Sequence, residues 1–173
     1  MLFRSSALVV AGCGYGAALD EYAAFQAHAR DNAALILARG MRAFVDDYGH
    51  GPTRQPLARK DPRGFADFLR FFAEHSALGS AHTMAGYQGR RPSLYHLQDA
   101  LAAIAVPTLI VAGDEDEPTL APSLMLKRTI PGAGLAVLPR SGHVLNLEEP
   151  ALFNRLLEDF FHQVEHGRWP RGA

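Results

Sequence analysis

Two residues of this chain have the types and the local settings to move a proton together. Asp116 lies in the acidic run Asp114, Glu115, Asp116, Glu117, just after the apolar stretch Thr108 to Ala112. His143 lies in Ser141-Gly142-His143, just after the apolar stretch Leu135 to Leu138. A carboxylate that accepts a hydrogen bond from an imidazole fixes its tautomer and orientation. The imidazole can then take a proton from a serine, a cysteine or a water. Each residue also has a plainer reading, Asp116 as one member of a solvated turn and His143 as a surface-loop histidine. Position favours the chemical reading, because open α/β sheets bind and react at the carboxyl ends of their strands.

The flanking elements must deliver both groups to one place. Thr108 to Ala112, bounded by Pro107 and Gly113, reads as a strand buried on both faces of a parallel sheet, and Leu135 to Leu138 reads as a second. Between them, Pro118 and Pro122 open a helix over about Ala121 to Arg128, which Pro131-Gly132 closes. The last helix carries the strongest pattern: Leu152, Phe153, Leu156, Leu157, Phe160, Phe161 and Val164 form a wide apolar stripe that should cover the sheet. Asn146 and Glu149 have the spacing of a cap and its reciprocal partner, and Gly167 suits the stop.

These residues resemble the second half of an α/β-hydrolase. Ile104 to Pro118 is similar to that fold's seventh strand and acid loop (V-P-T-L-x-x-x-G-x-x-D). Ser141-Gly142-His143 with Asn146 to Pro150 is similar to its histidine loop, S-G-H and then E-x-P before the last helix. The resemblance implies a catalytic acid at Asp116, with Asp114 as its competitor, and a catalytic base at His143. It implies an α/β fold, the C-terminal half of an α/β-hydrolase, with about three parallel strands, flanking helices and a helical lid insertion. The expected spans are 1–19 for the sixth strand (Ala7 to Ala11) and a glycine loop, 20–91 for the lid, and 92–173 for the core with both loops and the last helix. The activity implied is hydrolysis of an ester or related acyl bond in a small apolar molecule, with no cofactor. The family's nucleophile sits in G-x-S-x-G, and none of Ser5, Ser6, Ser76, Ser80, Ser93, Ser123 and Ser141 has those flanking glycines. The chain is therefore expected to be a C-terminal part, inactive alone; the alternative is a truncated, non-catalytic or split-enzyme subunit, one that self-associates through a bare strand edge or pairs with a complementing N-terminal fragment, or an incomplete gene product.

From Asp20 to Arg91 the pattern is helical. Glu21 to Arg39 should be one helix ending at Gly40, with Met41, Phe44, Val45 and Tyr48 following at helical spacing. Gly49 to Lys60 reads as an exposed loop, Asp61-Pro62 as a helix start for the face Phe65, Phe68, Leu69 and Phe72, and Ala77 to Gln88 as a further helix. Pro92-Ser93 should open another, running to about Ile104. By the resemblance, Phe25, Phe44, Phe65, Phe68, Phe71, Met41 and Met84 would supply an apolar pocket, although aromatics at this spacing mostly form helix-to-helix core.

Several rival signals are weaker. Gly12, Gly14 and Ala17 satisfy G-x-G-x-x-[G/A] after an apolar run, as a dinucleotide-binding turn does, but the candidate ribose acid, Asp46, lies beyond the expected spacing of about 20 residues. Met1 to Arg4 followed by Ala7 to Cys13 imitates a lipoprotein leader, yet the apolar run is short and carries one basic residue ahead of it, so a buried strand and a cytoplasmic location are expected. Cys13, a lone cysteine, excludes an internal disulfide and follows the wrong strand for a nucleophile. His162 and His166 are spaced like a zinc pair without a third ligand, and suit the negative end of a helix better. No role falls to His75 or His82. With 17 basic against 18 acidic residues and no basic run, a nucleic-acid footprint is not expected, and no apolar run approaches a membrane span. The implied partner is a small-molecule substrate.

Overall fold

A computed structural model describes residues 5–170. Met1 to Arg4, the head of the leader-like segment, and the outermost ends of spans 1–19 and 92–173 lie outside the described residues. Among the described residues three strands make one parallel sheet in the order β1 (Leu8–Ala11), β2 (Thr108–Gly113), β3 (Gly134–Leu138). In register, Val10 stands opposite Ile110, and Ile110 opposite Leu135.

All six residues of β2 are buried, because both faces of the sheet are covered. Side chains alternate along a strand, so Leu109 and Val111 join Leu138, Leu145 and Phe160 in one cluster, while Ile110 joins Leu126, Ile130 and Ala133 in another. Helix α8 (Pro150–Glu165) supplies the first cover and α6 (Glu117–Thr129) the second. Helix α6 starts four residues earlier than the sequence suggested. Pro118 sits in its first turn, where a missing N–H costs nothing, and Pro122 lies inside the helix and forfeits a single bond to the Pro118 carbonyl. The expected Asn146 cap is not formed: Asn146 lies within the short helix α7 (Leu145–Glu148), and Glu149 takes the cap position of α8 without a side-chain bond. Pro150 explains this, since it disfavours helical geometry at the residue before it and favours a start at its own position. The apolar stripe of α8 is also narrower than expected. Phe153, Leu156, Leu157, Phe160 and Val164 pack on the sheet, whereas Leu152 and Phe161 are exposed.

The chain divides into two compact units. Residues up to Tyr15 and from Leu94 onward build the sheet unit, and Gly16–Ser93 build a helical unit with its own core of Ala33, Ile36, Met41, Phe44, Val45 and Ala81. In the helical unit α1 (Tyr22–Tyr48) does not stop at Gly40 but bends there, with φ 79° and ψ 174°. Glycine adopts that backbone freely, and the bend lets Met41, Phe44 and Val45 enter the same core as Ile36. The expected loop from Gly49 to Lys60 is instead a 3₁₀ turn, Pro52–Arg54, and helix α2 (Gln55–Lys60), with Thr53, Pro56 and Leu57 buried. Both prolines occupy first-turn positions, so they open helical turns rather than break them. Helix α3 (Pro62–Ala73) starts as expected, with the Asp61 carboxylate accepting from the Gly64 N–H at 2.9 Å. Helix α4 (Ala77–His82) continues as a π turn over Thr83–Gln88. The two ends of the unit are tied together: the Ser93 hydroxyl donates to the Ala17 carbonyl, and the Tyr22 hydroxyl to the Arg91 carbonyl.

In the sheet unit a 3₁₀ turn, Leu94–Leu97, and α5 (Gln98–Ala102) replace the longer helix expected from Pro92. The dinucleotide-turn geometry is not met. β1 ends at Ala11 and the next helix begins at Tyr22, so no helix N-terminus follows Gly12, Gly14 and Ala17 directly. Among the described residues no helix is long and apolar enough to cross a membrane.

Candidate active site

The chain leaves β2 at a point where no side chain fits. A Cβ on Gly113 would stand 2.2 Å from the Ser141 carbonyl oxygen and 2.5 Å from that of Gly142. The loop after β3 is thus laid directly on the end of β2, and main-chain bonds hold it there. The Asp114 N–H donates to Leu138 O at 3.1 Å and the Glu115 N–H to Ser141 O at 2.8 Å. In return the Ser141 N–H donates to the Asp114 carboxylate at 3.1 Å. Asp114 is therefore occupied with the loop backbone, and Asp116 is the acid that reaches the histidine.

Asp116 is fully buried, and its Oδ2 lies 2.8 Å from His143 Nδ1, whose side chain is 30% exposed. An ionised carboxylate only accepts, so this contact puts a hydrogen on Nδ1, and in the neutral ring Nε2 then carries the lone pair that can take a proton. The Thr119 hydroxyl, also buried, lies 3.0 Å from the same Oδ2 and 2.9 Å from the Asp116 carbonyl. Asp116 stands at the N-cap position of α6, where the helix dipole favours negative charge, yet its side chain caps no helix N–H. An unused N-cap forgoes about 1 kcal/mol of helix stability. Here the carboxylate is turned instead toward the imidazole and the Thr119 hydroxyl. Its second oxygen, Oδ1, is buried with no hydrogen-bond partner among the described residues.

The imidazole has two further neighbours. A Cβ on Gly12 would lie 3.3 Å from His143 O and 3.6 Å from Nδ1, so the backbone after β1 passes close to the ring. With φ +56°, Gly12 also holds a backbone conformation that side chains disfavour. The Tyr15 ring lies tilted at 59° to the imidazole with centroids 6.5 Å apart.

Two contributors escaped the sequence reading. Thr119 is three residues after Asp116, the spacing at which a hydroxyl reaches back to a cap residue, and that signal was available. Glu148 appeared only as part of a motif. Its carboxylate is buried and accepts from the Gly142 N–H at 2.6 Å and the Val144 N–H at 3.1 Å. Its place directly after Leu145-Asn146-Leu147, at the end of a short helix, was the available hint. The other candidates are placed elsewhere. His166 donates from Nδ1 to the His162 carbonyl at 2.8 Å, at the end of α8. Of the expected pocket residues, Phe44 and Met41 are core of the helical unit, Phe71 is exposed, and Phe44 and Met84 border an open hollow with Phe72, His75 and Thr83.

Comparison with known proteins bears on the family and the fold. The sequence pattern described as the alpha/beta hydrolase family matches residues 2–156. A Bacillus subtilis (strain 168) protein, provisionally named 2-succinyl-6-hydroxy-2,4-cyclohexadiene-1-carboxylate synthase, is 26% identical over 141 residues, 78% of this chain and 48% of its own length. A Klebsiella pneumoniae protein, provisionally named carbamate hydrolase RutD, is 31% identical over 136 residues, 72% of this chain and 46% of its own length. The chain spans about half the length of the curated relatives it matches. Among solved structures, MenH from S. aureus superposes with a TM-score of 0.85 at 21% identity, over 92% of this chain and 60% of that one.

Proposed function

This chain belongs to the α/β-hydrolase family, and from that premise we propose that it carries the acid and base of a hydrolase acting on an ester or related acyl bond of a small apolar molecule. The observation that supports the reading most directly is the 2.8 Å contact between the buried Asp116 carboxylate and His143 Nδ1. In the proposed cycle His143 Nε2 takes the proton of a nucleophilic serine as its oxygen attacks the carbonyl carbon. Asp116 holds the ring and stabilises the imidazolium. The proton then passes to the departing alkoxide, and a water activated by the same nitrogen releases the acyl group.

None of the seven serines in these 173 residues occupies a G-x-S-x-G turn, so this chain by itself is proposed to be inactive. Catalysis falls steeply without the nucleophile and oxyanion donors, whatever remains of the other members. The test is hydrolysis of a p-nitrophenyl ester by the purified chain. Release at the buffer rate is expected, and turnover lost in His143→Ala would refute the inactivity.

A second reading makes the chain a non-catalytic or split-enzyme subunit that pairs through β1. Its support is that, among the described residues, β1 is a terminal strand laddered to β2 alone. Light scattering of the purified chain separates the two: a dimer favours edge pairing, and a monodisperse monomer counts against it.

A further inference from the structure

The catalytic reading assigns work to Asp116 and His143 but leaves unexplained a second buried carboxylate beside them. Glu148 is 6% exposed. Its Oε2 accepts from the Gly142 N–H at 2.6 Å and its Oε1 from the Val144 N–H at 3.1 Å. The donors are the residues immediately before and after His143. The backbone of Glu148 closes the ring by donating its own N–H to Val144 O at 3.0 Å. We propose that Glu148 is a positioning residue for His143, an inference that rests on the acid–base reading above.

The physical reasoning starts from the loop. Gly142 has no side chain to pack, and the segment between β3 and α7 carries no ladder of its own, so external contacts must define its path. A buried carboxylate is costly unless it is hydrogen-bonded, and here two main-chain N–H groups bond it. The group suits its task, because two parallel donors require two acceptors. An amide of the same size offers one acceptor and one donor, so one of the two N–H groups would face another N–H. Asp114 fixes Ser141 by the same device, with a carboxylate oxygen on a main-chain N–H at 3.1 Å. Three of the four amides from Ser141 to Val144 therefore end on carboxylates, and the one between the Glu148 contacts belongs to His143. The ring can then meet Asp116 at hydrogen-bond distance without searching for it, within the roughly 0.5 Å that a productive site tolerates.

The experiment is nuclear magnetic resonance of the full chain labelled with ¹⁵N-histidine, the His143 Nδ1–H signal being assigned by its loss in His143→Gln. Glu148→Gln should accelerate exchange of that proton with water by about tenfold or more, since a loosened loop opens the Asp116 contact more often. Trp169 fluorescence verifies that the variant retains its fold. Unchanged exchange in a folded Glu148→Gln overturns the proposal. Asp116→Asn in the same assay separates the layers: a signal sensitive to Asp116→Asn but not to Glu148→Gln sinks only the positioning role, and one indifferent to Asp116→Asn sinks the acid–base reading beneath it. The unmodified chain provides an independent check through backbone exchange. The Gly142 and Val144 amides should be protected, and exchange of both at unprotected-peptide rates overturns the clamp.

Discussion

Replacing Gly113 with alanine adds one methyl group at the point where the end of β2 meets the histidine loop. That methyl would stand 2.2 Å from Ser141 O and 2.5 Å from Gly142 O. Ordinary carbon–oxygen contact lies near 3.4 Å, so the loop must retreat by about 1 Å or the strand must yield. The obstacle is main chain on both counts and cannot rotate away. Overpacking of this kind costs about 1–3 kcal/mol. The retreat also breaks the bond from the Glu115 N–H to Ser141 O at 2.8 Å, which adds about 1 kcal/mol. The sum is about 3 kcal/mol, or a fall in Tm of roughly 6–12 °C for a protein of this size. Urea unfolding followed by Trp169 fluorescence is the assay. That residue is the single tryptophan, and it packs edge-on against Phe160 at 4.7 Å within the sheet unit. A stability within about 0.5 kcal/mol of the parent, the range of an ordinary surface substitution, would show that the loop does not lie on the strand as described.

Two further outcomes are expected. Thr119→Val removes a hydroxyl 3.0 Å from the Asp116 carboxylate at nearly constant volume and should cost about 1.5–3 kcal/mol by urea denaturation, the range for hydrogen bonds to charged groups; Thr119→Ser should restore most of it, and equal losses in both variants would argue against the hydroxyl. Phe160→Ala empties a site only 1% exposed beneath the sheet and should destabilise by about 3–5 kcal/mol with altered Trp169 emission, whereas a loss below 1 kcal/mol would contradict the packing of α8 on β2.

The parts of the molecule that were legible in the sequence are those governed by uninterrupted local patterns. Thr108 to Ala112, bounded by Pro107 and Gly113, reads as a doubly covered strand and is one; the resemblance to G-x-x-D favoured Asp116 over Asp114, and Asp116 is the residue whose carboxylate lies 2.8 Å from His143 Nδ1. Prolines caused most of the misplaced boundaries. Pro52, Pro56, Pro118 and Pro150 each open a helical turn, where a composition-based reading takes Pro52 and Pro56 as loop markers. The Gly40 bend was hidden for the opposite reason: the glycine does end regular geometry, but the hydrophobic residues beyond it are recaptured by the same core. Gly113 was not assignable because its role depends on backbone atoms of a neighbouring strand's loop, and periodicity along one segment carries no information about what another segment presents to it; Glu148 bonds amides four and six residues before it in its own loop, contacts that no helical or strand period marks.

The chain keeps two separate cores. Gly16–Ser93 fold around Ile36 and Phe44, while the contact between the acid and the imidazole is made within the sheet unit. A cavity made at Ile36 or Phe44 therefore loosens a core to which neither the acid nor the imidazole belongs.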